Sequence, residues 1–236
     1  NMSYFSKEIE NIEANLIYQI LQILLGEEFL DNWCEDKDGI IDYLEQFMEE
    51  MTSKYGENIA IKEKDRVVLG ADKQASTGST KDHTSTKIWK VEELEGALMG
   101  GVGSARASQI IQYSQIIDKN YTGPINTEFV ICVLAPTISA TLKSNGISIN
   151  PSEDDNCIMI PNVFIFAYAD KAWVIWHDLS VIEIADYFAI GSGADVARGA
   201  LFATKDKNPF DRIVTGIDAA AESTLFVDDG IDLLTT

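Results

Sequence analysis

Apolar positions recur along this chain with two different periods, and the switch between them divides it. Over residues 6–25, Ile9, Ile12, Leu16, Ile20, Ile23 and Leu24 return three and four apart, which predicts a helix with one apolar stripe. Gly26 stops it. A second helix is predicted from Gly39, with Ile40, Leu44, Phe47, Met48 and Met51 on its apolar side. Beyond Asn58 the period shortens to two. Residues 58–62 and 66–72 alternate around Lys64-Asp65 and predict a tight hairpin, and residues 87–91 and 97–101 predict two more short strands.

The polar stretch 76–86, rich in Ser, Thr, Gly and Asp, is expected to be a loop that carries a solvated His83. Ala107, Ile110, Ile111 and Ile117 predict a helix that opens at Ser104 and ends before Gly123-Pro124. Another follows from Asn126 with Phe129, Val130, Val133, Leu134, Ile138 and Leu142, and Pro136 is expected to kink it. Residues 150–156 form an acidic loop. A central strand over 163–169 turns at Asp170-Lys171 into 172–176, a second hairpin. His177-Asp178 ends it as a turn, because neighbours on an extended chain face opposite ways and cannot act as an acid–base pair. Short strands at 179–184 and 187–190 lead to Gly191-Ser192-Gly193, a turn into a helix over 194–204. This turn has neither a Walker lysine nor a full GxGxxG, so phosphate binding is not its reading. A last helix over 210–223 and a strand over 231–234 complete an α+β order: strands, two helices, strands, two helices, strands.

Composition narrows the partners. With 38 acidic against 18 basic residues the net charge is −20, which disfavours nucleic acid and anionic membranes. Cys34, Cys132 and Cys157 form no CxxC or close pair, so neither a disulfide framework nor a zinc site is expected. The longest apolar run, 163–169, is too short to span a bilayer, and the amino end is amphipathic and acidic. A cytoplasmic protein is expected. Its length allows one large domain with an appendage: a helical extension over 1–55 and a main domain over 56–236. Within the extension, residues 34–45 resemble an EF-hand loop, with Asp36, Asp38, Gly39, Ile41 and Glu45 at the intervals that surround a hard cation with oxygen. Cys34 stands where the first aspartate is expected, and a thiol is a poor calcium ligand. The competing reading is an acidic interhelical turn, with Asp38 offsetting a helix dipole. Calcium is the one cofactor that the sequence raises.

An apolar hairpin ending in Asp72, Lys87 opening the next strand, Gly101 followed by small residues entering a helix, and Ala189-Ile190-Gly191-Ser192-Gly193 entering another form a constellation. It resembles the proteasome subunits and related bacterial protease subunits of the N-terminal nucleophile (Ntn) hydrolase group, over residues 56–236. The resemblance implies a four-layer αββα sandwich preceded by an amino-terminal helical extension. In such peptidases self-cleavage exposes a threonine at the start of the first strand, and its amino group serves as base for its own hydroxyl. A lysine lowers the nucleophile's pKa, an aspartate holds the lysine, and a backbone amide by a glycine stabilises the oxyanion. The resemblance puts the aspartate at Asp72, the lysine at Lys87, the oxyanion glycine at Gly101 and a supporting serine at Ser192. The threonine's place falls on Gly56, a further aspartate's on Thr224 and a second serine's on Val227.

This implies an Ntn-fold protein without peptidase activity, acting in assembly or binding. Its counterparts are the ring's non-catalytic outer subunits, which keep an uncleaved helical extension. A homo-oligomer or a ring with related subunits is then the expected state. Two alternatives stay open. One is a threonine-type peptidase or amidohydrolase activated by cleavage before Thr52, four residues ahead of Gly56. The other is a calcium-responsive binding protein using Asp36, Asp38 and Glu45. For Asp72 and Lys87, a structural salt bridge at a sheet end is the competing reading.

Overall fold

The computed structural model describes residues 56–236 except 78–79, 84, 148, 152–157 and 229. The two helices expected before residue 56, the calcium-type loop with Asp36, Asp38 and Glu45, Thr52, and the proposed boundary at residue 55 lie outside the described residues.

Alternation sorts the strands into two antiparallel sheets. The first has the order β12-β1-β2-β13 and the second β11-β10-β9-β6-β5. In the first, β1 (Glu57–Lys62) and β2 (Val67–Asp72) are the predicted hairpin, with Ile59 opposite Gly70; β12 (Tyr187–Gly191) and β13 (Ile231–Thr235) flank them. The second sheet contains β5 (Ile88–Lys90), β6 (Leu98–Gly103), β9 (Asn162–Tyr168), β10 (Lys171–Ile175) and β11 (Val181–Glu183). Small two-stranded pieces, β3 (Ala75–Thr77) with β4 (Thr80–Asp82) and β7 (Asn150–Pro151) with β8 (Ile158–Met159), lie apart from both. The first of these pieces corrects the expectation of a loop over 76–86.

Successive side chains of a strand point to opposite faces, so each sheet feeds two cores. From β1, Ala60 enters the core between the sheets, while Ile59 and Ile61 enter the core under the last two helices. From β9, Ile165 and Ala167 join the intersheet core, while Phe164 and Phe166 face the first two helices. Those first helices are α1 (Ala105–Tyr113) and α2, which runs through Thr127–Phe129, a wide turn at Val130–Leu134, and Ala135–Ser144. On the other side lie α3 (Ala194–Ala203) and α4 (Pro209–Ser223). Three cores between four layers make the αββα sandwich.

Local chemistry places the helix ends. Ser104 caps α1 by accepting the Ala107 N–H, Asn126 caps α2 through the Phe129 N–H, and Asn208 caps α4 through the Asp211 N–H. Pro136 has no N–H to give the preceding turn, and the expected kink takes the form of a π-type widening there. The Ala135 N–H reaches back to the Val130 carbonyl, and the Thr137 hydroxyl donates to the Val133 carbonyl at 2.7 Å. Boundaries differ from the sequence expectation: the strand expected over 179–184 is Val181–Glu183, and the acidic stretch 150–156 opens in the strand Asn150–Pro151. Helix α1 ends at Tyr113, and Ile116 and Ile117 are buried from the connection that follows. No helix of the described residues is long and apolar enough to cross a membrane.

Candidate functional site

At one end of the first sheet, β1 begins beside the end of β2 and the turn from β12 into α3. Gly56, just ahead of β1, has φ +77°, and Gly191, at the end of β12, has φ +129°. These are conformations that L side chains rarely adopt. Their contact is close: a Cβ on Gly191 would stand 2.0 Å from the Gly56 carbonyl oxygen, which accepts the Ser192 N–H at 3.2 Å. Gly56 thus begins the strand in a geometry that favours glycine.

Asp72, fully buried at the end of β2, is the hub. Its Oδ1 accepts from Lys87 Nζ at 2.6 Å and from the Glu57 N–H at 2.6 Å. Its Oδ2 accepts from the N–H groups of Gln74 at 3.0 Å and Asp228 at 3.3 Å. Four donors fill the acceptor capacity of an ionised carboxylate. Gln74 is itself strapped, donating to the Ser76 hydroxyl at 2.9 Å and the Leu225 carbonyl at 2.8 Å. Outside this hub, His83 meets Asp228 at 2.6 Å across the surface, so the histidine expected to be merely solvated has a carboxylate partner.

Lys87 comes to Asp72 from the start of β5, and its side chain is 9 % exposed. Burial pulls its pKa below the usual lysine range, against the opposing charge and hydrogen bond of Asp72. Its ammonium points at Gly56: a Cβ on that glycine would lie 2.2 Å from Nζ. The structure therefore brings Asp72, Lys87, Gly56 and the Gly191–Gly193 turn together. Gly101 stands on β6 with its N–H donated to the Lys87 carbonyl at 3.0 Å, so the amide assigned by resemblance to an oxyanion is engaged within the sheet. Ser192 Oγ is buried with no hydrogen-bond partner among the described residues. Thr224 ends α4 and its hydroxyl accepts the Phe226 N–H at 3.4 Å, while Val227 packs into the core under α3 and α4. Among the described residues, no group of three or more His, Cys, Asp or Glu is placed to hold a metal.

Two residues of this region escape the sequence reading. Glu57 is fully buried, and its Oε2 accepts the Gly193 N–H at 3.0 Å at the amino end of α3. Burial raises its pKa well above the usual glutamate value, only partly offset by that N–H. Protonated Glu57 beside an Asp72⁻–Lys87⁺ pair is the arrangement that leaves no net buried charge. Asn58, 1 % exposed, has neither amide atom partnered among the described residues and lies near Gly100, where a Cβ would come 3.4 Å from its Nδ2. Strict alternation from Ile59 and Ile61 back to Glu57 was the available signal, since it puts a carboxylate on a face that is otherwise apolar.

The comparisons bear on the family and the fold. The family model described as proteasome subunit matches residues 53–209. Among solved structures, BPH from Thiobacillus denitrificans aligns at 19 % identity with a TM-score of 0.62, covering 76 % of this chain and 97 % of that one. That protein has also been solved in complex with epoxomicin. Eukaryotic HslV from Trypanosoma brucei aligns at 18 % identity and a TM-score of 0.53, covering 76 % of this chain and 98 % of its own. Anbu from Hyphomicrobium sp. strain MC1 aligns at 16 % and 0.53, covering 76 % and 81 %. At these identities the structural likenesses speak to the fold. A search of curated protein sequences gives no match. With the matched family model spanning most of its length and the four-layer sandwich in place, this chain belongs to the proteasome subunit family of Ntn-hydrolase fold.

Proposed function

We propose that this chain is a proteasome-family subunit without peptidase activity that works through assembly or binding. One observation carries the reading. The position from which the family's nucleophile would project is Gly56, and the space a side chain would fill there is taken by Lys87 Nζ, 2.2 Å from where a Cβ would stand. An ammonium cannot activate a hydroxyl that is not present. Asp72 and Lys87 then serve as a buried ion pair that ties β1, β2 and β5 together.

Apolar surface on the outer helices supports assembly as the role. Tyr113, Ile131 and Val133 on the α1–α2 layer and Val196, Phe202 and Phe210 on the α3–α4 layer are exposed. Faces of this kind are what a homo-oligomer or a ring with related subunits would cover.

The test is hydrolysis of a panel of fluorogenic peptides by the purified full chain, beside Thr52→Ala, with light scattering for size. We expect no turnover above background in either protein and a mass of several chains. Turnover that disappears in Thr52→Ala would overturn the proposal in favour of a threonine-type peptidase cut before that residue. A strictly monomeric chain at micromolar concentration would remove the assembly role.

A further inference from the structure

Lys87 stands where a side chain on residue 56 would stand. A Cβ there would lie 2.2 Å from Nζ, 2.7 Å from Cε and 2.8 Å from Cδ, so the end of the lysine fills the seat of the missing group. The amine is thereby placed at the one point of the site from which an attacking atom would act. We propose that Lys87 is itself a nucleophile, and that this site captures small aldehydes as a protonated imine. The proposal rests on the reading that Gly56 leaves no hydroxyl to compete.

The surroundings suit that chemistry. Nζ passes a proton to Asp72 Oδ1, 2.6 Å away, and its lone pair forms the C–N bond while the carbonyl π pair moves to oxygen. The oxygen takes the proton back from Asp72, then takes one from nitrogen, and leaves as water as the C–O bond breaks. In sum, an ammonium and an aldehyde become an iminium and water, with no oxidant or reductant. The product keeps its positive charge. Asp72, fully buried, is therefore never left with an unpaired charge, which a neutral amide adduct at the same nitrogen would cause. Burial also favours the free amine that attacks, holding Lys87 below the usual lysine range.

Size selection follows from access. With a side chain only 9 % exposed, Lys87 is harder for a bulky reagent to reach than for a small one.

The experiment treats the full chain at neutral pH with propanal and sodium cyanoborohydride, which fixes an imine as a propylamine, and maps the modified lysines by mass spectrometry over time. Lys90, Lys119, Lys143, Lys205 and Lys207 are exposed and serve as internal references. We expect Lys87 to be alkylated first, about tenfold faster than these. The preference should vanish in urea-unfolded protein and shrink when a branched, bulky aldehyde replaces propanal. Lys87 left unmodified while the exposed lysines carry label would overturn the proposal, as would a preference that survives unfolding. Neither failure touches the non-peptidase reading, which stands or falls on peptide turnover and Thr52→Ala.

Discussion

Replacing Glu57 with Gln tests the electrostatics of the site most directly. The wild-type carboxyl is fully buried and its pKa is raised well above 4.5, chiefly by that burial. Above pH 4.5 the unfolded chain gives up this proton while the folded chain keeps it, so the native state binds more protons and stability falls with rising pH. Inside that window, from 4.5 up to the raised folded value, one retained proton changes stability by about 1.4 kcal/mol per pH unit. Glutamine keeps the shape and an acceptor for the Gly193 N–H but has nothing to titrate. It also brings an amide where Oε1 now has no partner, at a cost of about 1–3 kcal/mol. Near pH 4.5 Glu57→Gln should therefore be the less stable protein. As pH rises the gap should close and then reverse, because only the wild type loses stability through this group. Urea unfolding of both proteins at intervals between pH 4.5 and 8 reads the difference. Two profiles running parallel across this range would refute the reasoning. Lys87 cannot mimic the result, since a lowered lysine pKa makes stability rise with pH, in a window that ends near 10.5.

Three further outcomes follow from the same contacts. Asp72→Ala removes the acceptor of four donors and strands the Lys87 ammonium, and should cost about 3–5 kcal/mol in chemical denaturation. Gly56→Ala must hold a side chain at φ +77° and displace Lys87, and should cost at least about 1–2 kcal/mol, seen as a lower Tm in calorimetry. Ser192→Ala deletes a buried hydroxyl with no partner and should leave the urea midpoint unchanged or raise it; a loss above about 1 kcal/mol would mean that the hydroxyl is bonded after all.

The hairpin and the order of strands and helices were legible in the sequence because alternation and turn chemistry are local, while the four layers came from the resemblance. Lys64-Asp65 breaks an apolar alternation and the chain turns there; Gly191-Ser192-Gly193 separates a strand from a helix, as it does in the structure. Long-range facts were not legible. Ile117 matched the helical period of Ile110, yet it is buried from a non-helical connection, since periodicity reports burial and not the backbone that achieves it. The resemblance named Asp72 and Lys87, but no rule of spacing places Nζ against Gly56 or the Gly101 amide on the Lys87 carbonyl. Glu57 was overlooked because a charged residue at a strand start is usually solvated. Its burial depends on α3 arriving from more than a hundred residues away to set the Gly193 N–H against it.

The missing side chain at residue 56 is not an isolated vacancy that a single change would fill. Gly56 is locked on one side by Gly191, whose own lack of a Cβ lets the Gly56 carbonyl sit 2.0 Å from where that atom would be, and by the Ser192 N–H. On the other side Lys87 occupies the space. A threonine introduced at this position would have to push Nζ away and so lengthen its 2.6 Å bond to Asp72, the hub that also holds the Glu57, Gln74 and Asp228 amides. Three parts of the site are thus fitted to the glycine: the lysine that fills its place, the aspartate that fixes the lysine, and the second glycine that allows the carbonyl its position. If residue 56 is the nucleophile's seat, as proposed, its loss alone would leave a gap beside the ammonium, and here the ammonium fills that place.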